Sequence, residues 1–171
     1  ENLGSDPEVE FMVVAAGGGG GNHNTTNSNG GGGGGGILYK KNHTIDQIGA
    51  IDVTVGVGGA RRTYRQRAAG NDGGFSAFGD FIANGGGGGG SRGSGGYNSR
   101  PGGSGGGVGR DNTYYNDMRY NTGLSTQRPI DGARAFGNDG GTMAVDWTGG
   151  GGGGANFMAR ITPTTGGMGS R

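Results

Sequence analysis

The chain has no cysteine, so it can build no disulfide framework, thiolate metal site or cysteine nucleophile. It has only 4 prolines, and glycine does not fall at every third position, which excludes a collagen triple helix. Leu, Ile, Val and Phe supply only 24 of the 171 residues, too few for a conventional core of large side chains. No apolar stretch approaches the length of a membrane-spanning helix. An excess of one charge is missing too. The 14 basic and 13 acidic residues leave a net charge of +1, which argues against general nucleic-acid or membrane-surface binding. It also argues against disorder driven by charge. The chain opens Glu1-Asn2-Leu3-Gly4, with no initiator Met and no signal peptide. This predicts a processed product or a fragment. The length predicts one domain over residues 1–171, with 1–8 as an N-terminal extension.

Glycine is what the chain has in abundance, 50 residues in all. Four uninterrupted runs, 17–21, 30–36, 85–90 and 149–154, hold 24 of them. Apolar segments bracket these runs, among them Phe11–Ala16, Ile37–Tyr39, Phe81–Ala83, Met143–Thr148 and Ala155–Ala159. A slack linker would need no such brackets. Ile51, Val53, Val55 and Val57 alternate with Asp52, Thr54 and Gly56, the period-two pattern of a half-buried strand. Met143–Thr148 and Phe157–Thr162 alternate in the same way. Their β-branched and aromatic residues favour strand over helix. A short repeat reads as turn, strand, glycine run: Asn71-Asp72-Gly73-Gly74 before a strand Phe75–Ala83, and Asn138-Asp139-Gly140-Gly141 before Thr142–Thr148. Residues 91–137 mix Gly, Ser, Asn, Arg and Tyr irregularly and read as one or two long surface loops.

Ordering six glycines in a row costs more backbone entropy than ordering any other sequence. One ordered form is open to them. In a polyproline-II-type helix the N–H and C=O groups point outward, and without Cβ atoms neighbouring helices approach closely enough to bond in several directions. Six residues at about 3.1 Å each span roughly 19 Å, close to the 17–20 Å of a typical strand. The expected fold is therefore all-β: short strands in a slab or sandwich with packed polyglycine-II helices, and essentially no α-helix. Every run must lie beside another run or a strand, because buried backbone groups must be paired.

The series Val13-Val14-Ala15-Ala16-Gly17, Ile51–Gly59, Gly73–Gly79, then Ile82-Ala83-Asn84 into Gly85–Gly90 resembles the glycine-rich domain of bacteriophage tail fibres. The likeness continues through Gly102–Gly107 and Gly149–Gly154 and covers roughly residues 9–160. It implies a distal fibre or adhesin domain that packs polyglycine helices and presents loops to a host receptor or glycan. Two departures fit a self-assembling subunit equally well. Only about eight residues precede the first strand, and the last run is followed by Phe157–Pro163.

Catalysis is not expected. His23 and His43 sit in polar loop contexts without a nucleophile-bearing turn. With lysine only at positions 40 and 41, no phosphate loop is present. No cofactor or metal site is predicted; Gly106–Asp111 matches only the start of a calcium nonapeptide, in a single copy. The candidate contact residues are Arg61, Arg62, Arg65 and Arg67, of which Arg61, Arg65 and Arg67 would share one face of an extended strand, together with Tyr97, Tyr114, Tyr115, Arg119 and Tyr120. Tyrosine offers large contact area at low entropy cost, and the arginines suit acidic polysaccharide or phosphate or serve as a charged edge that blocks strand pairing. The leading functional expectation is a non-enzymatic extracellular structural or adhesive module on a virion. Its partners would be a host receptor, a glycan or copies of itself. The alternative is a secreted, homo-oligomeric filament or surface-coat subunit. A third is a disordered RNA-associated tail, suggested by the Arg, Gly and Tyr content of 91–120.

Overall fold

The computed structural model describes residues 7–22, 29–46, 49–63, 68–91, 98–109, 122–142 and 149–155. Six strands and no helix occur among them: β1 (Glu8–Val14), β2 (Ile37–Thr44), β3 (Val53–Thr54), β4 (Ser76–Phe78), β5 (Phe81–Ala83) and β6 (Arg134–Phe136). They form two antiparallel sheets, ordered β1-β2-β6 and β3-β4-β5. The all-β expectation holds.

The glycine runs carry the rest of the fold. Along residues 30–36 the amides of Gly30, Gly33 and Gly36 donate to the carbonyls of Gly90, Gly87 and Asn84. Those of Gly31 and Gly34 donate to Gly150 and Gly153. Meanwhile Gly30, Gly33 and Gly36 accept from Gly21, Gly18 and Ala15. Each neighbour is met at every third residue, as a helix of three residues per turn requires.

Five further segments join the same lattice, although their sequences are not pure glycine. Segments 57–62, 15–22, 30–36 and 149–154 lie side by side in one row, tied by Gly59 to Gly17, Gly18 to Gly33 and Gly31 to Gly150. Segments 68–74, 84–91, 102–109 and 137–142 form a second row, tied by Gly70 to Gly89, Gly87 to Ser104 and Gly105 to Asn138. The rows are offset by half a spacing. Residues 30–36, for example, bond both to 84–91 and to 102–109. Residues 122–126 pack outside the second row, through Gly102 to Leu124 and Gly123 to Gly106.

The middle of the second row, 86–91 and 102–109, is wholly buried. A Cβ on Gly87 would stand 1.9 Å from the Arg100 carbonyl oxygen, and one on Gly88 would stand 2.0 Å from that of Gly70. Glycine is required there because backbone lies where a side chain would start.

Each strand prolongs a lattice helix. β1 runs into 15–22, β3 into 57–62, β5 into 84–91 and β6 into 137–142, while β2 and β4 continue 30–36 and 68–74. The two sheets thus cap one end of the slab, and the apolar brackets Phe11–Ala16, Ile37–Tyr39 and Phe81–Ala83 supply most of its side-chain core. Val13, Ala15, Leu38, Phe81, Ala83 and Ala133 are buried there, with Phe11, Phe78 and Ala135 packed against them. Gln127 seals the junction: its Oε1 accepts from the Asn84 amide at 2.7 Å.

Several expectations need correction. The strand read over Ile51–Val57 lasts two residues, and Val53, Val55 and Val57 are 66%, 80% and 81% exposed. The chain changes there from period two to period three, turning Gly56 and Gly59 inward and the valines out. The single strand Phe75–Ala83 is a hairpin, broken at Gly79-Asp80, where Gly79 takes φ +53° as a type II′ turn demands of its first central residue. Residues 91–137 are not all surface loop. Residues 102–109 are buried, and β6 pairs with β2.

The repeated Asn-Asp-Gly-Gly tetrads are lattice segments, not turns, yet they are equivalent. Asn71 and Asn138 both accept from a neighbouring helix, while Asp72 Oδ1 accepts from the Gly88 amide and Asp139 Oδ1 from that of Ser125. The strands read over 143–148 and 157–162 fall outside the described residues.

Candidate functional site

The sheet-capped end holds a cleft of about 500 Å³. Lys40 and His43 of β2, Phe78 of β4, Phe81 of β5, and the polar residues Asp46, Asp80 and Asp131 line it. Its floor is an aromatic cluster. The Phe11 ring lies 4.8 Å from Phe81 and 4.9 Å from Phe78, and His43 stands edge-on to Phe81 at 5.0 Å and to Phe11 at 5.4 Å. His43 is therefore a packing residue on a strand and not the loop histidine its polar neighbours suggested. Five residues from buried Leu38, it would fall on the other face of a regular strand, but a bulge at Asn42, which takes φ +50°, turns it onto the face of Leu38 and Lys40.

Lys40 clips the rim of the cleft. Its side chain is only 14% exposed, its Nζ lies 2.5 Å from Asp131 Oδ2 and 5.1 Å from the Phe81 ring centre, and it also donates to the Asp131 carbonyl. Asp131 and Gly132 take φ +42° and +70°, and the Ala133 amide closes the turn on the Ile130 carbonyl at 2.8 Å. This is the two-residue turn that an Asp-Gly pair favours, and it brings β6 back beside β2. The hydrogen bond from Lys40, and then its positive charge, hold the Asp131 carboxyl below the ordinary aspartate value. A depressed carboxyl favours the fold above the unfolded-state pKa, and the contribution is lost as pH falls through the folded value. Asp131→Asn retains a side chain that tolerates positive φ but loses the charge. Its melting temperature is expected to fall below that of the parent at neutral pH and to converge with it on acidification below about pH 4. An offset that persisted in acid would show that the Lys40 pair is not its source.

Asp46 and Asp80 differ from Asp131. Both are exposed on the cleft rim, and neither has a hydrogen bond or ion pair among the described residues.

Of the expected contact residues, Arg61 and Arg62 are described, and they lie toward the opposite end of the slab. Arg62 donates from its amide to Gly20, and Gly20 lies next to the Gly21–Gly30 pairing that ends that side of the lattice. Arg62 is fastened down, with Nε to the Ala69 carbonyl at 2.8 Å and its own carbonyl accepting from Asn22 Nδ2 at 3.2 Å. Arg61 is exposed, without a hydrogen bond or ion pair among the described residues. The two arginines sit on a three-residue helix, so the strand face expected for Arg61, Arg65 and Arg67 does not exist at Arg61. Arg65, Arg67, Tyr97, Tyr114, Tyr115, Arg119 and Tyr120 lie outside the described residues, as does His23. The residues flanking their segments are described, however. Ala68 pairs with Asn22, Gly90 donates to Gly107, and Gly123 donates to Gly106. All three pairings belong to the same end of the slab, away from the sheets.

A slab of glycine helices bonded at every third residue is an architecture that a sequence profile can capture, and the model of a glycine-rich domain matches residues 5–171. The chain belongs to that glycine-rich domain family. No curated protein and no solved structure matches it. In this glycine-rich domain Arg61 is exposed and Arg62 half-buried on a lattice helix. The residues of the cleft were not among those the sequence singled out as contacts. They come from four separate stretches of chain and meet only because every strand extends a lattice helix to the same end.

Proposed function

We propose that this glycine-rich domain is a rigid, non-enzymatic module of an extracellular structural or adhesive protein, of the kind that bacteriophage tail fibres carry, presenting its polar connections to a host receptor or glycan. The observation that carries the reading is topological. The described residues flanking 64–67, 92–97 and 110–121 gather at one end of a hydrogen-bonded slab. Those segments bring Arg65, Arg67, Tyr97, Tyr114, Tyr115, Arg119 and Tyr120, residue types suited to contact surfaces. Packing His43 between two phenylalanines supports a role without chemistry. The ordered lattice favours this reading over that of a disordered RNA-associated tail.

A second reading, a subunit of a filament or surface coat, draws on a different observation. Val53, Val55 and Val57, within five residues of one another, are each more than 60% exposed, and clustered exposed apolar residues mark association surfaces. Replacing residues 110–121 by a Gly-Ser linker of equal length separates the two readings. Under the adhesive reading the variant melts like the parent but no longer binds a panel of bacterial cells that the parent coats. A parent that coats none of them and forms filaments under the electron microscope would overturn the adhesive reading.

A further inference from the structure

We propose that copies of this chain associate end to end, the acidic cleft at the sheet-capped end of one copy receiving the arginine-bearing opposite end of the next. The cleft is lined by three carboxylates, Asp46, Asp80 and Asp131, against one lysine, Lys40. Lys40 is consumed by Asp131 at 2.5 Å. Asp46 and Asp80 therefore give a concave surface of about 500 Å³ its negative sign. Among the described residues, Arg61 is an exposed cation toward the other end, with half-buried Arg62 beside it.

These groups cannot meet within one molecule. Arg61 stands level with Gly19, and from there to Ala15 is four residues of three-residue helix, roughly 12 Å. From Val14 to Glu8 is seven residues of strand, roughly 23 Å more. The two groups are thus about 35 Å apart, several times the screening length of about 8 Å at physiological salt. A rigid lattice between them prevents the chain from folding back. Only a second copy can satisfy both ends.

The contact is heterologous: it uses two different surfaces, so it repeats until it closes a ring or extends as a fibre. The inference rests on the polymer reading given above and supplies its contact.

Charge exchange tests it. One variant carries Asp46→Lys and Asp80→Lys; the other carries Arg61→Glu and Arg62→Glu. Asp46, Asp80 and Arg61 are exposed and Arg62 is half-buried, and thermal melts verify that each variant folds. Sedimentation of the parent is expected to show a mass that rises with concentration at low salt and falls toward the monomer at about 0.5 M salt. Each variant alone is expected to associate about tenfold or more weakly, because it now sets like charges against each other. An equal mixture regains the parent's association, since each variant's altered end complements the other's. A parent that associates while both variants associate equally well would overturn this contact and leave the polymer reading standing. A parent that stays monomeric at every salt and concentration would overturn both.

Discussion

Alanine scanned along residues 30–36 is expected to give a stability profile that repeats every three residues. A Cβ on Gly30, Gly32, Gly33 or Gly35 would stand 1.8, 2.1, 2.2 or 1.9 Å from a backbone carbonyl oxygen of a neighbouring helix. No real Cβ occupies such a position, and the Gly107 and Ser104 carbonyls facing Gly30 and Gly33 are themselves held by the Gly90 and Gly87 amides, so the helices must separate. Each of these variants is expected to lose about 3 kcal/mol or more, the upper range for overpacking. Gly34 differs. Its Cβ would meet the Gly153 oxygen at 3.5 Å, an ordinary contact, and that of Gly31 would meet the Gly152 amide at 3.1 Å.

Gly34→Ala is therefore expected to hold or raise stability by about 0.4–1 kcal/mol, because alanine has fewer unfolded conformations to lose. Gly31→Ala falls between. The same rule separates Gly17, with 3.5 Å of room, from Gly18, with 2.3 Å. Urea denaturation reads the result. A profile alternating every two residues, or a flat one, would refute the three-residue lattice. A linker would give a flat profile, and a strand an alternating one.

Phe81→Ala is expected to cost about 3–5 kcal/mol, the usual range for emptying an aromatic core position. Phe81 is 6% exposed and sits where the two sheets meet: Phe11 lies 4.8 Å away, His43 5.0 Å, and the Lys40 ammonium 5.1 Å above the ring. In a chain with so few large side chains, no neighbour is available to fill the space. Phe75→Ala is the control. Phe75 is 52% exposed, and its loss is expected to stay within about 0.5 kcal/mol. The two variants should differ in denaturation midpoint at unchanged m-value. Equal midpoints would place the folding energy in the lattice alone and leave the aromatic cluster as decoration.

Much of this was legible in the residues. Bracketed glycine runs of matched length pointed to ordered helices, and the strands at Val13-Val14, Ile37–Tyr39 and Ile82-Ala83 follow from their apolar, β-branched character. The Asp131-Gly132 pair was a readable turn signal, overshadowed by the polar stretch before it. Val53, Val55 and Val57 misled because alternation records a face only while the backbone keeps a period of two. Beyond Thr54 it does not, and the exposure of Val55 and Val57 follows, while Val53 on β3 is on the solvent side of its sheet. The buried stretch 102–109 hid for the opposite reason. Ser104 and Val108 interrupt its glycines, yet both fit wholly within the lattice.

Composition alone determined that this protein has no ordinary core, no disulfides and no helix-based scaffold, and that its order must come from backbone bonding to backbone. Local sequence sets which short stretches are apolar and where turns are allowed. It does not set which helix lies beside which, because a glycine carries no side chain by which to recognise a neighbour. That assignment was decided by the tertiary structure, through the side chains at the sheet-capped end. Once β1 pairs with β2, and β4 with β3 and β5, the helices they prolong are fixed side by side, while β6 beside β2 starts the helix that lies beyond 102–109. The cleft and the arginine-bearing end then fall at opposite poles.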